Sequence, residues 1–198
     1  FIVGNEWIID SLNPITRDDG TGIINSVLEL GESHKFFIEG FEDTETMILT
    51  GSFNNWNEFE LKMTKNDSAW VYEYTLGPGI YEYKFIADGQ WMIDESNPFT
   101  SGEGDFTNSV LIFQPNYTFV LNGFEDANDV RITGMFNDWN PQGYPMKKKD
   151  GKWVFPAYLN KGKQLYKFIV DGEWIIDPDN PLWEENQYGT DNSVLWID

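Results

Sequence analysis

Residues 81–94 read YEYKFIADGQWMID, and residues 164–177 read QLYKFIVDGEWIID. The two stretches stand 83 positions apart, Lys84 against Lys167 and Trp91 against Trp174. Within the first, Tyr81, Tyr83 and Phe85 alternate with Glu82, Lys84 and Ile86. A period of two sends successive side chains to opposite faces, so this is the pattern of a half-buried strand. Trp70, Tyr72 and Tyr74 alternate in the same way, and no stretch of the chain carries a helical period. An all-β fold is the result, with Trp70 and Trp153 read as core residues because large aromatic side chains are usually well buried.

The repetition extends outward from this strand. Upstream, TMILTGSFNNW (46–56) returns as DVRITGMFNDW (129–139), and GFED (40–43) returns at 123–126, again at 83 positions. Downstream, TNSVLIF (107–113) returns as DNSVLWI (191–197). The N-terminus belongs to the same series: FIVGNEWIIDSLNP (1–14) matches FIVDGEWIIDPDNP (168–181), and INSVLEL (24–30) matches the closing strands. Such self-similarity is the mark of a repeat architecture. The chain therefore divides into a C-terminal fragment of a first repeat (1–30, unit one) and two complete repeats (31–113, unit two; 114–198, unit three). The connections are expected at Gly31 and Gln114-Pro115. Turn residues recur every 8–12 positions, which predicts a sandwich of about seven short strands per complete unit. The loop 183–188 leaves room for a short helix.

Composition narrows the function classes. Among 198 residues, 33 are acidic and 13 basic, for a net charge of −20, so nucleic acid and anionic membrane surfaces are poor partners. A neutral polymer such as a polysaccharide is compatible with that charge. Cysteine is absent, which removes disulfides and cysteine-based metal sites. Aromatic residues make up 17% of the chain, a high share that calls for an explanation. Trp56 and Trp139 stand in Asn/Asp-rich turns, which argues for the surface. No apolar run reaches the ~20 residues of a membrane-spanning helix.

Taken together, the string GSFNNW or GMFNDW, a tryptophan-bearing strand, YKFIADGQW or YKFIVDGEW, and an Asn-Ser-Val strand resemble the family 48 carbohydrate-binding modules. That family includes the glycogen-binding domain of the AMP-activated protein kinase β subunit. The resemblance covers units two and three nearly end to end, and unit one only as the family's last strands. It implies immunoglobulin-like sandwiches of the early-set type that bind linear α-1,4-glucan without cleaving it and without a cofactor. It also implies a site of two tryptophans, a lysine and a late loop bearing Thr and Asn. In unit three the matching residues are Trp139, Lys167, Trp174, Thr190 and Asn192, with Tyr188 where the family often has a large apolar residue. In unit two they are Trp56, Lys84, Trp91 and Asn108. The late loop of unit two, GEGDFTNSV, departs from the pattern: Thr107 is shifted and Phe106 intrudes. Unit one keeps only Trp7 and Asn25. Trp183 and Trp196 match no site of the family.

The chemistry suits a sugar. A pyranose ring has apolar C–H faces, which an indole can cover at low entropic cost. Its hydroxyls need donors and acceptors, which Lys and Asn supply. Each site should be shallow and its affinity micromolar or weaker, with avidity gained from two sites on one chain.

Catalysis has less support. Asp10, Asp94 and Asp177 each precede Asn-Pro (Asn13-Pro14, Asn97-Pro98, Asn180-Pro181) and read as turn chemistry rather than as members of a carboxylate pair. His34 is the single histidine, and no cluster of metal-ligating residues is present. The rival class is structural: tandem immunoglobulin-like domains also serve as surface spacers or filament subunits. Residues 1–30 cannot bury their apolar faces alone. They are unfolded, pack on unit two, complete a sandwich from another chain, or belong to a longer array. Asn66-Asp67-Ser68 and Asn116-Tyr117-Thr118 fit the glycosylation acceptor pattern. A tandem array with no attached enzyme suits an extracellular or cell-surface setting, and the composition also suits the cytoplasm.

Overall fold

The computed structural model describes residues 1–12, 16–18, 21–26, 31–66 and 68–198. In unit two the central strand Gly79–Ala87 pairs with Met47–Gly51 on one side and Asn108–Phe113 on the other, all antiparallel. Leu61–Lys62 and Thr100–Ser101 close the two edges, and Gln90–Met92 folds back on the central strand. A second sheet, Glu32–Glu39, Ala69–Leu76 and Thr64–Asn66, lies across it. Unit three repeats the arrangement. Val130–Gly134 and Asp191–Ile197 flank Gly162–Val170, with Tyr144–Pro145, Trp183–Glu185 and Glu173–Ile175 around them. Tyr117–Leu121, Lys152–Ala157 and Lys147–Lys149 form its facing sheet. Each complete unit has nine strands among the described residues, two more than turn spacing predicts, because edge pairings of two or three residues leave no legible alternation. One such pairing corrects the expected helix in 183–188: Trp183–Glu185 is a strand held by Asp191–Ile197.

Alternation delivers the two cores. In unit two Tyr83 and Phe85 point inward from the central strand to meet Phe36 and Trp70 of the facing sheet. In unit three Tyr166 and Phe168 meet Phe119, Trp153 and Phe155. Burying an aromatic side chain of this size contributes about 1.5–3 kcal/mol each, so these rings dominate both cores.

Each core ring with a hydroxyl needs a partner. Tyr166 donates to Asp177 Oδ2 at 2.6 Å and accepts from Asn180 Nδ2 at 3.1 Å. Asn180 also donates to the Val194 carbonyl at 2.9 Å, and the Asp177 amide donates to Ser193 Oγ at 2.7 Å. Unit two repeats the set with Tyr83, Asp94, Asn97, Val110 and Ser109. The recurring Asp and Asn-Pro positions are thus a lock joining the central strand, the turn after it and the last strand. In unit one the Asp10 amide donates to Ser26 Oγ at 2.6 Å, while Asn13-Pro14 lies outside the described residues.

The units meet across a short link. Residues 114–116 join Asn108–Phe113 to Tyr117–Leu121, and Ile80, Phe99 and Ile112 of unit two pack on the core of unit three. Asn116 uses both ends of its amide on the Leu159 backbone, so its part of an acceptor pattern is engaged in the fold. Asp67 of the other acceptor pattern lies outside the described residues. So do residues 27–30, which precede the expected boundary at Gly31. Unit one forms two hairpins, Ile2–Val3 with Glu6–Trp7 and Thr16–Asp18 with Ile24–Ser26. Its Phe1, Trp7, Leu12 and Ile23 are exposed, and none of its described residues joins either core.

Burial, reinforced by the hydrogen bond to Asp94 or Asp177, pushes the hydroxyls of Tyr83 and Tyr166 far above the ordinary tyrosine value. Such a group adds stability in full below the unfolded value of about 10, and that contribution is lost as pH rises beyond it. Urea unfolding should therefore show stability falling from about pH 10 upward. Tyr166→Phe should cost about 1–3 kcal/mol at neutral pH, because Asp177 and Asn180 lose their partner, and it should flatten part of the alkaline decline.

Candidate functional site

The turn before each site is built to turn a tryptophan outward. In unit three Asp138 and Trp139 both adopt left-handed backbone, with φ of 53° and 57°. Asn55 and Trp56 do the same in unit two, at 53° and 58°. This region disfavours a bulky side chain by about 1–2 kcal/mol, so the surrounding contacts must hold it. The Trp139 amide donates to the Gly134 carbonyl at 2.9 Å, and Asn137 Oδ1 accepts from the Gly134 amide at 2.9 Å. Gly134 is required by close approach: a Cβ there would lie 2.4 Å from the Leu165 carbonyl oxygen. The Gly, Asn and Trp of GMFNDW are therefore one device, which sets the indole beside the outer face of the central strand.

Lys167 lies on that outer face, opposite in direction to Tyr166 and Phe168. Trp174 is brought back beside it by the pairing of Ile169 with Trp174. Asn192 comes from the adjacent last strand, one residue from Ser193, which pairs with Tyr166. Trp139, Lys167, Trp174, Tyr188, Thr190 and Asn192 all line one open hollow of about 740 Å³. All six residues marked in unit three by their resemblance to the family therefore converge.

The polar part of the hollow is ordered by its own hydrogen bonds. Lys167 is only 8% exposed, and its Nζ donates to Thr190 Oγ1 at 2.9 Å. Burial draws its ammonium below the usual lysine range, with the Asp191 carboxylate opposing. Asn186 organises the loop: its Oδ1 accepts from the Tyr188 amide at 2.9 Å and the Thr190 amide at 3.2 Å. Its Nδ2 donates to Thr190 Oγ1 at 2.8 Å and to Asn192 Oδ1 at 3.2 Å. The apolar part is open: Trp174 is 44% exposed and Tyr188 80%. Leu165, Glu184, Asn186 and Gln187 also line the hollow and belong to no part of the motif. Asn186 has a legible signal, an Asn opening the turn NQYGT. Leu165 lies two residues from Lys167 on the same strand face, so its place is readable from alternation.

Unit two brings its residues together differently. Trp56 and Trp91 are neighbours, with ring centroids 6.5 Å apart and planes at 39°. Lys84 and Trp91 line a smaller hollow of about 530 Å³ with Gly104, Asp105 and Thr107, but Trp56 and Asn108 do not. Lys84 Nζ donates to the Asp105 carbonyl at 2.9 Å, inside the loop. Asn108 Nδ2 donates to Glu82 Oε2 at 2.8 Å, and Ser101 Oγ to Glu82 Oε1 at 2.7 Å. Glu82 stands where unit three has Leu165. Phe106, 84% exposed, lies outside the hollow. In unit one Trp7 and Asn25 sit in separate hairpins, both exposed.

Parts of the chain are similar to known proteins. The β-2 subunit of human 5'-AMP-activated protein kinase is 33% identical over 99 residues, half of this chain and 36% of that subunit. The chloroplastic Protein PTST homolog 2 of Arabidopsis thaliana is 37% identical over 71 residues, 36% of this chain and 13% of that protein. The chain thus spans about a third or less of these relatives' length. Among solved structures, a maltogenic amylase from S. marinus aligns over 83% of this chain and 28% of its own, at 14% identity and a TM-score of 0.37. The family described as "Glycogen recognition site of AMP-activated protein kinase" matches residues 36–120 and again 116–198, and the chain belongs to that family as a tandem repeat of it.

Proposed function

We propose that this chain binds linear α-1,4-glucan without cleaving it, chiefly through unit three. The observation that carries this reading is the convergence of Trp139, Trp174 and Tyr188 with Lys167, Thr190 and Asn192 around one open hollow. Indole faces cover the C–H faces of successive glucose rings. The Lys167 ammonium, partly desolvated, gains from sugar hydroxyls as acceptors. Asn192, only 5% exposed, sits at the floor of the hollow, where a held amide can discriminate one hydroxyl from another. Aromatic faces beside an ammonium, a hydroxyl and an amide are the composition of a site that orients and holds a ligand. A net charge of −20 neither attracts nor repels a neutral glucan.

Unit two is the weaker site in this reading. Its hollow is smaller and is not lined by Trp56 or Asn108, and the Asn108 amide already donates to the Glu82 carboxylate, so fewer ligand-facing groups come together there. A setting outside the cell or on its surface accords with a binding chain of this kind.

Titration with maltoheptaose, followed by calorimetry and tryptophan fluorescence, tests this. Trp139→Ala and Trp174→Ala should each weaken binding by about 2 kcal/mol, roughly thirtyfold in Kd. Trp91→Ala should change the overall affinity less than about threefold. Equal losses from Trp91→Ala and Trp174→Ala would contradict the assignment to unit three, and no binding by the wild-type chain would end it.

Asn186 acts by holding the loop rather than by touching the sugar. Asn186→Ala should raise amide hydrogen exchange at Tyr188 and Thr190 by about tenfold, corresponding to about 1.4 kcal/mol. It should weaken maltoheptaose binding while leaving the unfolding midpoint nearly unchanged. Unaltered exchange at both amides would remove Asn186 from this role.

A further inference from the structure

The strand pairing that sends Tyr81 and Tyr83 into the core of unit two leaves Ile80, Glu82, Val110 and Ile112 on its outer face. Lys84 lies at one end of this face, and Ile80 and Ile112 at the other. Phe99 joins them from the turn that follows Asn97. Ile80, Phe99 and Ile112 all pack on the core of unit three. Phe99 meets Phe155 edge to face with centroids 5.5 Å apart, and Lys147 Nζ stands 5.8 Å from the centroid of the same ring. Val110 is fully buried in this junction.

Unit three offers the matching face. Leu182 occupies the position of Phe99, Val194 that of Val110 and Trp196 that of Ile112. Leu182 is 53% exposed and Trp196 63%, where Phe99 and Ile112 are half-buried. Trp183, beside them, is also exposed. Leu182, Val194 and Trp196 border a shallow hollow of about 440 Å³ that extends to Tyr117 and Pro181. Neither Trp183 nor Trp196 lines the sugar hollow. Two positions have become charged: Lys163 replaces Ile80 and Glu184 replaces Ser101, and the two pair with each other at 2.8 Å.

We propose that this face of unit three docks a second copy of the chain, head to tail. The partner would receive Leu182 and Trp196 at the edge of its unit two, as unit three receives Phe99 within one chain. The argument is continuity with the contact already present: the same fold makes it once, through the same positions. The receiving edge of unit three includes Tyr144, Phe155 and Lys147; the corresponding positions of unit two are Leu61, Tyr72 and Thr64. Phe59, two residues from Leu61, is an exposed aromatic at that edge. Because the two faces differ, the contact is heterologous and extends into open chains rather than closing as a symmetric dimer. Within one chain the link 114–116 supplies an effective concentration in the millimolar range, which is lacking between chains. Desolvating the Lys163–Glu184 pair adds a further cost. The intermolecular contact is therefore weaker than the internal one and visible at high protein concentration.

Sedimentation equilibrium on the whole chain tests the assignment. Between about 10 µM and about 1 mM the weight-average mass should rise to twice the monomer mass or beyond. The double variant Leu182→Lys with Trp196→Glu should stay at monomer mass over the whole range, as should Phe59→Glu on the opposite face. These side chains are exposed, so the urea midpoint should not move. Trp139→Ala, which removes part of the sugar hollow, should associate like wild type, and that separates this proposal from the glucan reading. A wild-type chain that is monomeric at about 1 mM overturns it, as does association that survives either variant. A Trp196→Glu chain that loses maltoheptaose affinity while wild type stays monomeric would instead make Trp196 a sugar platform.

Discussion

A strand has two faces, and in each complete unit one strand supplies both the core and the site. In Gly162–Val170 the residues Tyr166 and Phe168 point into the sandwich, which forces Leu165 and Lys167 onto its outer face. The outward position of Lys167 is thus a consequence of burying two aromatic rings. The Tyr166 hydroxyl then fixes the path of the chain beyond the strand. By binding Asp177 and Asn180 it sets the return of the chain past Trp174, and by way of Asn180 it ties that return to the last strand, which carries Asn192. The groups proposed to face the sugar therefore sit on the two longest strands of the sheet, on the short strand Glu173–Ile175 and on the turn at Trp139, with only Tyr188 and Thr190 left to the loop that Asn186 holds.

The same geometry explains why two similar units present different surfaces. The outer face of the central sheet has two ends. In unit two one end carries Lys84 and the other is spent on the junction with unit three, where Thr100–Ser101 lies against Tyr144–Pro145. Glu82 sits between these ends, accepting from Ser101 on one side and Asn108 on the other. Burial, and then the charge of Glu82, raises the Tyr144 hydroxyl of unit three above the usual tyrosine range, so the carboxylate is felt across the junction. In unit three Leu165 replaces the acid. Its Asn192 is turned to the Asn186 loop instead, and its hollow is the larger. Two outward substitutions on one strand, Glu82 against Leu165 and Ile80 against Lys163, thus accompany the difference between the two faces.

Much of this is legible in the residues because it is local or repeated. Alternation in YEYKFIADGQW marks the strand and its two faces, and recurrence at 83 positions marks the tandem units. Resemblance to the family picks out six residues that do line one hollow in unit three. Two kinds of feature escape. Edge strands such as Tyr144–Pro145 and Trp183–Glu185 are too short to show a period, so they read as loop. Contacts set by three-dimensional neighbourhood, such as Glu82 with Asn108 or Phe99 with Phe155, have no sequence pattern at all. Asn108 illustrates the consequence: its position matches the family, yet its amide is committed to a carboxylate that no motif predicts. Trp183 and Trp196 have no place in the sugar motif, and only the folded unit two, where the position of Trp196 is half-buried at the junction, shows how the same face behaves once covered.

The central claim is that glucan is held on the outer face of unit three by residues that the core strand orients. Following the indole N–H signals of an isotopically labelled chain during addition of maltoheptaose tests it most directly, since each tryptophan reports separately. The account predicts that the signals of Trp139 and Trp174 shift together and saturate first, that those of Trp56 and Trp91 respond only at higher sugar concentration, and that those of Trp70 and Trp153, whose N–H groups are held by Phe41 and Phe124 in the cores, stay fixed. Shifts confined to Trp56 and Trp91, or spread equally over all the exposed indoles, would contradict it.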